Sequence, residues 1–353
     1  MPKFTLVLLM SCAFTVCLPA TGLAQSLPVR GSDLTGNQLF HTFIHLAGIQ
    51  GEGHDIGGRR RFSNSAWFEL TQDLVDAKVL TNWVAYGKPV YAMAAGTVVG
   101  CWRNAPDNVP GSFHADYDRK KFAGGGNHLW ILQANGVYAL YAHLKPGSIP
   151  PALCPNNAIL FAGTANGTGT NPDIEKEVMV TGGAVIAQGQ QLGAIGNSGA
   201  SKGGPHLHVH MEKDGKPVVI NFDRGMTTPF ATNWASLDGP WTRLAGKPLP
   251  KATILFWPPH PVGNYTFNGT RVEEYGRLFA HMSDSGMMPD QITCTSGGLT
   301  YNVNWVPAAG EWLSHHRMDA AEAVTLNATY TKQGFTRTSS FTCGGITAAV
   351  WRK

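Results

Sequence analysis

Histidines concentrate in one short segment of the chain, Gly204-Pro205-His206-Leu207-His208-Val209-His210. Side chains two apart on a strand point to the same side, so His206, His208 and His210 would line one face at spacings of ~7 Å. Imidazoles grouped in this way share a metal ion or repel each other once they are charged. Because the turn Gly196-Asn197-Ser198-Gly199 precedes them, the pattern favours a metal site over an ordinary polar strand face.

Other motifs accompany this segment along the chain. Gly126-Asn127-His128 leads through Asn135-Gly136-Val137-Tyr138 to Tyr141-Ala142-His143-Leu144. Upstream lie Tyr86-Gly87-Lys88-Pro89-Val90-Tyr91-Ala92 and Ala95-Gly96-Thr97-Val98-Val99, and Gly189-Gln190-Gln191-Leu192-Gly193 follows later. These motifs cover most of residues 86–211. Together they resemble the lysostaphin-like zinc metallopeptidases of the glycylglycine endopeptidase type.

The resemblance implies a fold, a cofactor and a substrate class. It implies an antiparallel β-sheet or barrel-like peptidase domain that binds one zinc ion. His143 and His206 match the catalytic histidines of the family, and His208 matches one of its zinc ligands. The implied substrates are peptidoglycan cross-bridges or other glycine-rich peptides.

The remaining zinc ligands are harder to place. A catalytic zinc takes three protein ligands and keeps a fourth position open, yet no His-x-x-x-Asp motif of the family occurs before residue 86. Glu69, within Ala66-Trp67-Phe68-Glu69-Leu70, and His54, within a glycine-rich loop, are the candidates for the missing positions. His41 and His45 stand four apart among apolar residues, which is typical of ordinary packing on a helix face.

Two functions therefore stay open. In the first, the chain is an active zinc endopeptidase with an altered ligand set. In the second, it is a degenerate relative that binds cell-wall peptide or a partner hydrolase without cutting. Zinc content distinguishes the two hypotheses.

The composition predicts a mainly β protein around these motifs. The chain contains 42 glycines and 22 prolines with short apolar runs between them, which is typical of strands joined by turns. Long helices are not indicated before residue 270. The predicted strands are 89–92, 96–99, 128–132, 137–141, 192–195 and 207–211.

The 353 residues suit more than one domain. Residues 1–24 read as a secretory signal peptide, residues 25–245 as the peptidase domain, and residues 246–263 as a proline-rich linker. Residues 264–353 read as two tandem α+β repeats, because TCTSGGLTYNVNW and TCGGITAAVW each follow an amphipathic helix and a glycine. The two helices are predicted at 271–285 and 319–333.

Cysteines and charge limit the partners and the location. Removal of the signal would leave four cysteines, and the predicted pairing within domains is Cys101 with Cys154 and Cys294 with Cys343. The mature chain is expected to be secreted or periplasmic and not bound to a membrane, because no later apolar run is long enough to span one. A net charge of +4 with scattered basic residues does not indicate nucleic-acid binding. The sequence does not indicate an oligomeric state.

Overall fold

The computed structural model describes most of the chain. The described residues are 25–34, 38–45, 47–63, 66–115, 124–159, 178–229, 242–250, 253–255, 264–284, 286–295 and 300–353. The predicted signal peptide, residues 1–24, lies outside them. The described chain forms two compact units, residues 25–255 and residues 264–353.

The first unit is built from short strands, with single 3₁₀ turns at Gly31–Asp33, Gly48–Gln50 and Leu80–Asn82. Its strands are β1 (Gln38–Ile44), β2 (His54–Ser63), β3 (Ala66–Phe68), β4 (Pro89–Tyr91), β5 (Gly96–Trp102), β6 (Asn127–Leu132), β7 (Tyr138–Leu144), β8 (Val185–Ile186), β9 (Gln191–Ala194), β10 (Leu207–Lys213), β11 (Lys216–Val218), β12 (Asn221–Phe222), β13 (Met226–Pro229), β14 (Thr242–Arg243), β15 (Lys247–Pro248) and β16 (Thr253–Leu255). The predicted β class is confirmed, and each of the six predicted strands overlaps one of these.

One large sheet holds most of the first unit together. Its strand order is β14-β13-β16-β1-β2-β10-β7-β6-β5-β8, with β11 paired to β10 and β3 paired to β2. Separate two-stranded pairs join β4 with β9 and β12 with β15. The neighbouring strands of the large sheet run antiparallel.

The first unit continues past residue 245, where the sequence suggested that a linker begins. Strand β16 pairs with both β1 and β13, and β15 pairs with β12. The proline-rich stretch thus supplies strands to the large sheet and to a smaller pair, because prolines are tolerated where no ladder hydrogen bond is required of them.

The two faces of the large sheet have different characters. On β10, Leu207, Val209 and Met211 belong to the main apolar core, and Ile56 of β2 packs into the same core. Because side chains alternate along a strand, the intervening residues of β10 and β2 point to the opposite face. That opposite face, which carries His208 and His210, is called the histidine face below.

The second unit contains two segments of similar build. The first comprises β17 (Tyr265–Arg271), α1 (Val272–Asp284), β18 (Met287–Thr295) and β19 (Thr300–Pro307). The second comprises β20 (Trp312–Met318), α2 (Ala320–Lys332), β21 (Thr336–Cys343) and β22 (Ile346–Arg352). The strand orders are β17-β19-β18 and β20-β22-β21, so each third strand lies between the other two.

Local backbone features recur at equivalent points of the two segments. Gly269 and Arg317 both have positive φ in the first strand of their segments, and Gly286 and Gly334 both have positive φ after the helix. The spacing from Gly269 to Arg317 equals the spacing from Gly286 to Gly334. The side chain of Asp319 caps α2 by accepting a hydrogen bond from the Glu322 N–H. Both predicted helices are confirmed; that the segments are copies of one repeat unit stays a prediction.

Two disulfides are present. Cys101 is bonded to Cys154 in the first unit, and Cys294 is bonded to Cys343 in the second. The predicted pairing is confirmed. In the second unit the bond links β18 to β21 and so ties the first segment to the second.

No helix within the described ranges combines the length and the apolar composition needed to cross a membrane.

Candidate metal centre

The register of three strands places His208 opposite an acidic residue. Strand β10 lies between β2 and β7, and His208 pairs directly with Asp55 on one side and with Ala142 on the other. Residues directly opposite each other on antiparallel strands have neighbouring side chains on the same face. The Asp55 carboxylate and the His208 imidazole therefore meet on the histidine face.

His45 joins this pair from the end of β1. Its backbone N–H donates a hydrogen bond to the Gly53 carbonyl at 2.9 Å, which closes the hairpin between β1 and β2. Its Nε2 lies 2.9 Å from Asp55 Oδ1 and 3.2 Å from His208 Nδ1, and His208 Nδ1 lies 2.9 Å from the same Asp55 oxygen. Three potential ligand atoms thus converge within 4.8 Å of one another.

The donor set and its spacing fit a zinc ion. Imidazole nitrogen and carboxylate oxygen are usual zinc ligands, with bonds of about 2.0 to 2.2 Å. Two atoms on one tetrahedral ion with such bonds lie roughly 3.4 Å apart. The three observed distances are shorter than this by about 0.2 to 0.5 Å, so an opening of the triad of His45, Asp55 and His208 by up to about half an ångström would suit the ion.

His143 and His206 lie beside the metal triad. Their ring centroids are 4.9 Å apart, and the His143 ring is 6.0 Å from the ring of His208. His206 Nε2 lies 3.7 Å from Asp55 Oδ1. The structure therefore brings together the three residues that the sequence motifs single out, His143, His206 and His208.

Backbone carbonyls set the tautomers of the two flanking histidines. His143 Nδ1 is 2.8 Å from the Ser198 carbonyl oxygen, and His206 Nδ1 is 2.9 Å from the Gly204 carbonyl oxygen. A carbonyl only accepts, so in each ring Nδ1 carries the hydrogen. In its neutral form each ring keeps Nε2 as the unprotonated nitrogen, which can accept a proton.

His143 holds an unusual backbone conformation. Its φ is 62°, in the left-handed region that side chains other than glycine seldom occupy. Its N–H donates to the Gly125 carbonyl at 2.8 Å, and its own carbonyl accepts from Gly196 N–H at 3.0 Å. Strained residues fixed by their surroundings are frequent at functional sites.

Burial and neighbouring charges keep His143 neutral, and hydrogen bonds keep the Asp55 carboxylate ionised. Burial lowers the pKa of His143 well below its usual value, and His206 and His208 lower it further. Burial acts to raise the pKa of Asp55, but hydrogen bonds from His208 and His45 bring it below its usual value. Burial also lowers the pKa of His208, against the opposing effect of Asp55. The hydrogen bond with Asp55 raises the pKa of His45. The anionic Asp55 oxygen beside the neutral rings of His143 and His208 is a suitable environment for a cation.

Two residues chosen from the sequence as metal ligands lie elsewhere. His54 pairs with Val209 and faces the core, with its ring 6.4 Å from that of Phe222. Its neighbour Asp55 occupies the histidine face instead, because adjacent residues on a strand point to opposite sides.

Glu69 has partners of its own. Its Oε1 accepts a hydrogen bond from Arg59 Nη2 at 3.0 Å and lies 3.3 Å from His41 Nε2. Glu69 therefore serves an ion pair, and it is not among the three residues whose ligand atoms converge.

His45 and Asp55 are the ligand candidates that are absent from the residues chosen from the sequence. A helix was expected around His41 and His45, but residues 38–44 form β1. An even spacing places both residues on one strand face as well, and the run Thr42-Phe43-Ile44 is typical of a strand. Strand alternation over residues 41–45 and 54–55 is the sequence signal that would have indicated His45 and Asp55.

Comparison with known proteins finds loose structural similarity to peptidases. The catalytic domain of lysostaphin from Staphylococcus simulans is similar with a TM-score of 0.25 and 16% identity over 53% of this chain and 88% of that chain. The M23 metalloprotease pseudoalterin from the deep sea gives a TM-score of 0.30 and 13% identity over 67% of this chain and 98% of that chain. A zinc-containing peptidase from Vibrio cholerae gives a TM-score of 0.22 and 18% identity over 47% of this chain, and the chain spans only 48% of that protein. No protein-family model matches the sequence, and no curated protein matches it.

Proposed function

We propose that this chain is an exported zinc metalloendopeptidase of the lysostaphin-like type, acting on peptidoglycan cross-bridges or glycine-rich peptides. One observation carries the proposal: the ligand atoms of His45, Asp55 and His208 converge beside the paired rings of His143 and His206. Three protein ligands with an open position are what a catalytic zinc requires.

The chain's own residues would divide the work of hydrolysis. A bound zinc ion would polarise the scissile carbonyl and lower the pKa of water. His206, with its unprotonated Nε2 directed towards Asp55, is placed to take a proton from the attacking water and to pass one to the leaving amine. His143, neutral and held by the Ser198 carbonyl, is placed to orient the attacking water, because its Nε2 can accept a hydrogen bond from it.

The substrate class rests on the resemblance of two motifs to lysostaphin-like peptidases. These are Gly196-Asn197-Ser198-Gly199 and Gly204-Pro205-His206-Leu207-His208. In the structure the first motif binds His143 at the site. Ser198 provides the carbonyl that binds His143, while Asn108 Nδ2 donates to the Asn197 carbonyl at 2.9 Å and holds the turn in place.

Export is supported by chemistry in two parts of the chain. Residues 1–24 combine an early lysine, an apolar run and small residues at the end, as a cleaved signal does. Both disulfides suit an oxidising compartment. Sequencing of the secreted protein should find a new amino terminus at Gln25, and a retained residue 1 would contradict export by cleavage.

Metal analysis is the first test of the proposed function. Protein purified without added metal should contain about one zinc per chain. His208→Ala should abolish zinc binding, because it removes one of three ligands. His206→Ala should retain zinc, because its ring lies beside the triad without contributing an atom to it.

Hydrolysis is the second test. Pentaglycine and purified peptidoglycan should be cleaved by the wild-type protein, with loss of activity on chelation and recovery with zinc. His206→Ala should lower the rate by about a hundredfold to ten-thousandfold at unchanged zinc content, the range expected for a general acid or base. The binding-only alternative predicts almost no zinc and no cleavage, together with retention on peptidoglycan.

A further inference from the structure

His208 uses both of its ring nitrogens within the protein. Nδ1 faces Asp55 and His45, as described above, while Nε2 lies 2.8 Å from His210 Nδ1. The two rings are nearly edge to face, with centroids 5.1 Å apart. Both residues are buried, at 4% and 3% exposure. His210 is therefore the protein group that binds the second ring nitrogen of His208, a candidate metal ligand.

Binding of a metal would give this hydrogen bond a single direction. A neutral imidazole has one N–H and one lone pair. If His208 Nδ1 offers its lone pair to an ion, the hydrogen must be on Nε2. His208 then donates to His210 Nδ1, and His210 in turn must carry its own hydrogen on Nε2.

The surroundings hold His210 in the position that this bond requires. A β-carbon added at Gly53, the residue before β2, would lie 2.9 Å from the β-carbon of His210, so only glycine leaves enough room there. On another side the ring of Trp130 lies 5.3 Å from the ring of His210 in a T-shaped arrangement. The His210 side chain thus has little freedom to turn away from His208.

We propose that His210 is a positioning residue of the metal centre, which accepts the Nε2–H of His208 and so fixes the tautomer and ring orientation that direct Nδ1 to the metal. The inference rests on the proposed function, since it assumes that the triad of His45, Asp55 and His208 binds zinc. Groups that bind the second nitrogen of a ligand histidine typically change metal affinity by 10- to 100-fold when they are removed.

Two substitutions at the same position separate the hydrogen bond from packing. His210→Leu removes the acceptor and keeps much of the volume, whereas His210→Asn places an amide oxygen close to the position of Nδ1. The zinc dissociation constant should rise about 10- to 100-fold in the leucine variant and stay within about threefold of wild type in the asparagine variant.

His128→Leu is the matched control. His128 is also a buried histidine, at 1% exposure, but its Nδ1 binds the Gly126 carbonyl and it contributes no atom to the triad. Its zinc dissociation constant should match that of wild type. A His210→Leu variant that folds and binds zinc as wild type does would overturn the inference, as would an asparagine variant impaired as much as the leucine variant.

Nitrogen NMR of zinc-loaded wild-type protein tests the same point without relying on a variant that folds. His208 and His210 should both carry hydrogen on Nε2 only. A hydrogen on His210 Nδ1 would contradict the proposed direction of the bond. Wild-type protein that binds no zinc refutes the proposed function together with this inference, whereas zinc binding that is insensitive to His210 refutes the inference alone.

Discussion

Asp55 and His54 are adjacent on β2, and replacing each by asparagine tests which face of the strand binds the metal. Asp55 supplies the single carboxylate oxygen of the triad, 2.9 Å from both histidine nitrogens. His54 points into the core on the other side of the sheet. Asp55→Asn keeps the size of the side chain and removes the charge of a proposed ligand. His54→Asn changes a side chain on the other face of the strand and leaves the three proposed ligands in place.

The size of the effect follows from the number of ligands. Zinc binding to four-ligand structural sites is worth roughly 10 to 16 kcal/mol, or about 3 kcal/mol for each ligand. A loss of about 3 kcal/mol corresponds to a dissociation constant roughly 100-fold higher. Asp55→Asn should therefore weaken zinc binding by at least about two powers of ten, whereas His54→Asn should leave it within about threefold of wild type.

Competition with a chromophoric chelator at pH 7.5 measures both constants, and near-ultraviolet circular dichroism checks that each variant is folded. Glu69→Gln is a second control, because Glu69 binds Arg59 and His41 and contributes no ligand atom to the triad. Zinc affinity that survives Asp55→Asn, or that falls equally with His54→Asn or Glu69→Gln, would show that the metal triad is wrongly assigned.

Three further predictions concern stability. Replacing Cys101 and Cys154 together by serine should lower the free energy of unfolding by about 4 kcal/mol, because the disulfide closes a loop with a sequence separation of 53. Urea denaturation measures this change, and an unchanged midpoint would contradict the prediction. Burial lowers the pKa of His128 from 6.5 to about 4, so the unfolded chain takes up a proton at higher pH than the folded chain, and stability should fall as the pH drops from about 6.5 to about 4. In His128→Leu that fall should be smaller by about 3 kcal/mol, and denaturation curves at pH 7 and pH 4 that change equally in both proteins would refute the assignment. Residues 264–353 expressed alone should fold with a cooperative transition, and a fragment without dispersed amide resonances would show that the second unit depends on the rest of the chain.

The sequence alone determined the features that depend on local chemistry. Strand periodicity predicted that His206, His208 and His210 share one face; β10 contains His208 and His210, and His206 directly precedes it. Amphipathic runs, each followed by a glycine, located both helices of the second unit. Cysteine positions within domains were sufficient to predict both disulfides.

Only the tertiary structure decided which residues meet at the metal triad. Placing Asp55 rather than His54 beside His208 requires the register between β2 and β10, and a shift of one residue would exchange the two side chains between faces. His45 comes into contact only because a hairpin returns the chain from β1 to β2. The pairing of distant strands depends on packing across the whole sheet, which no local pattern contains, and this is why two of the three potential metal ligands differed from the residues chosen from the sequence.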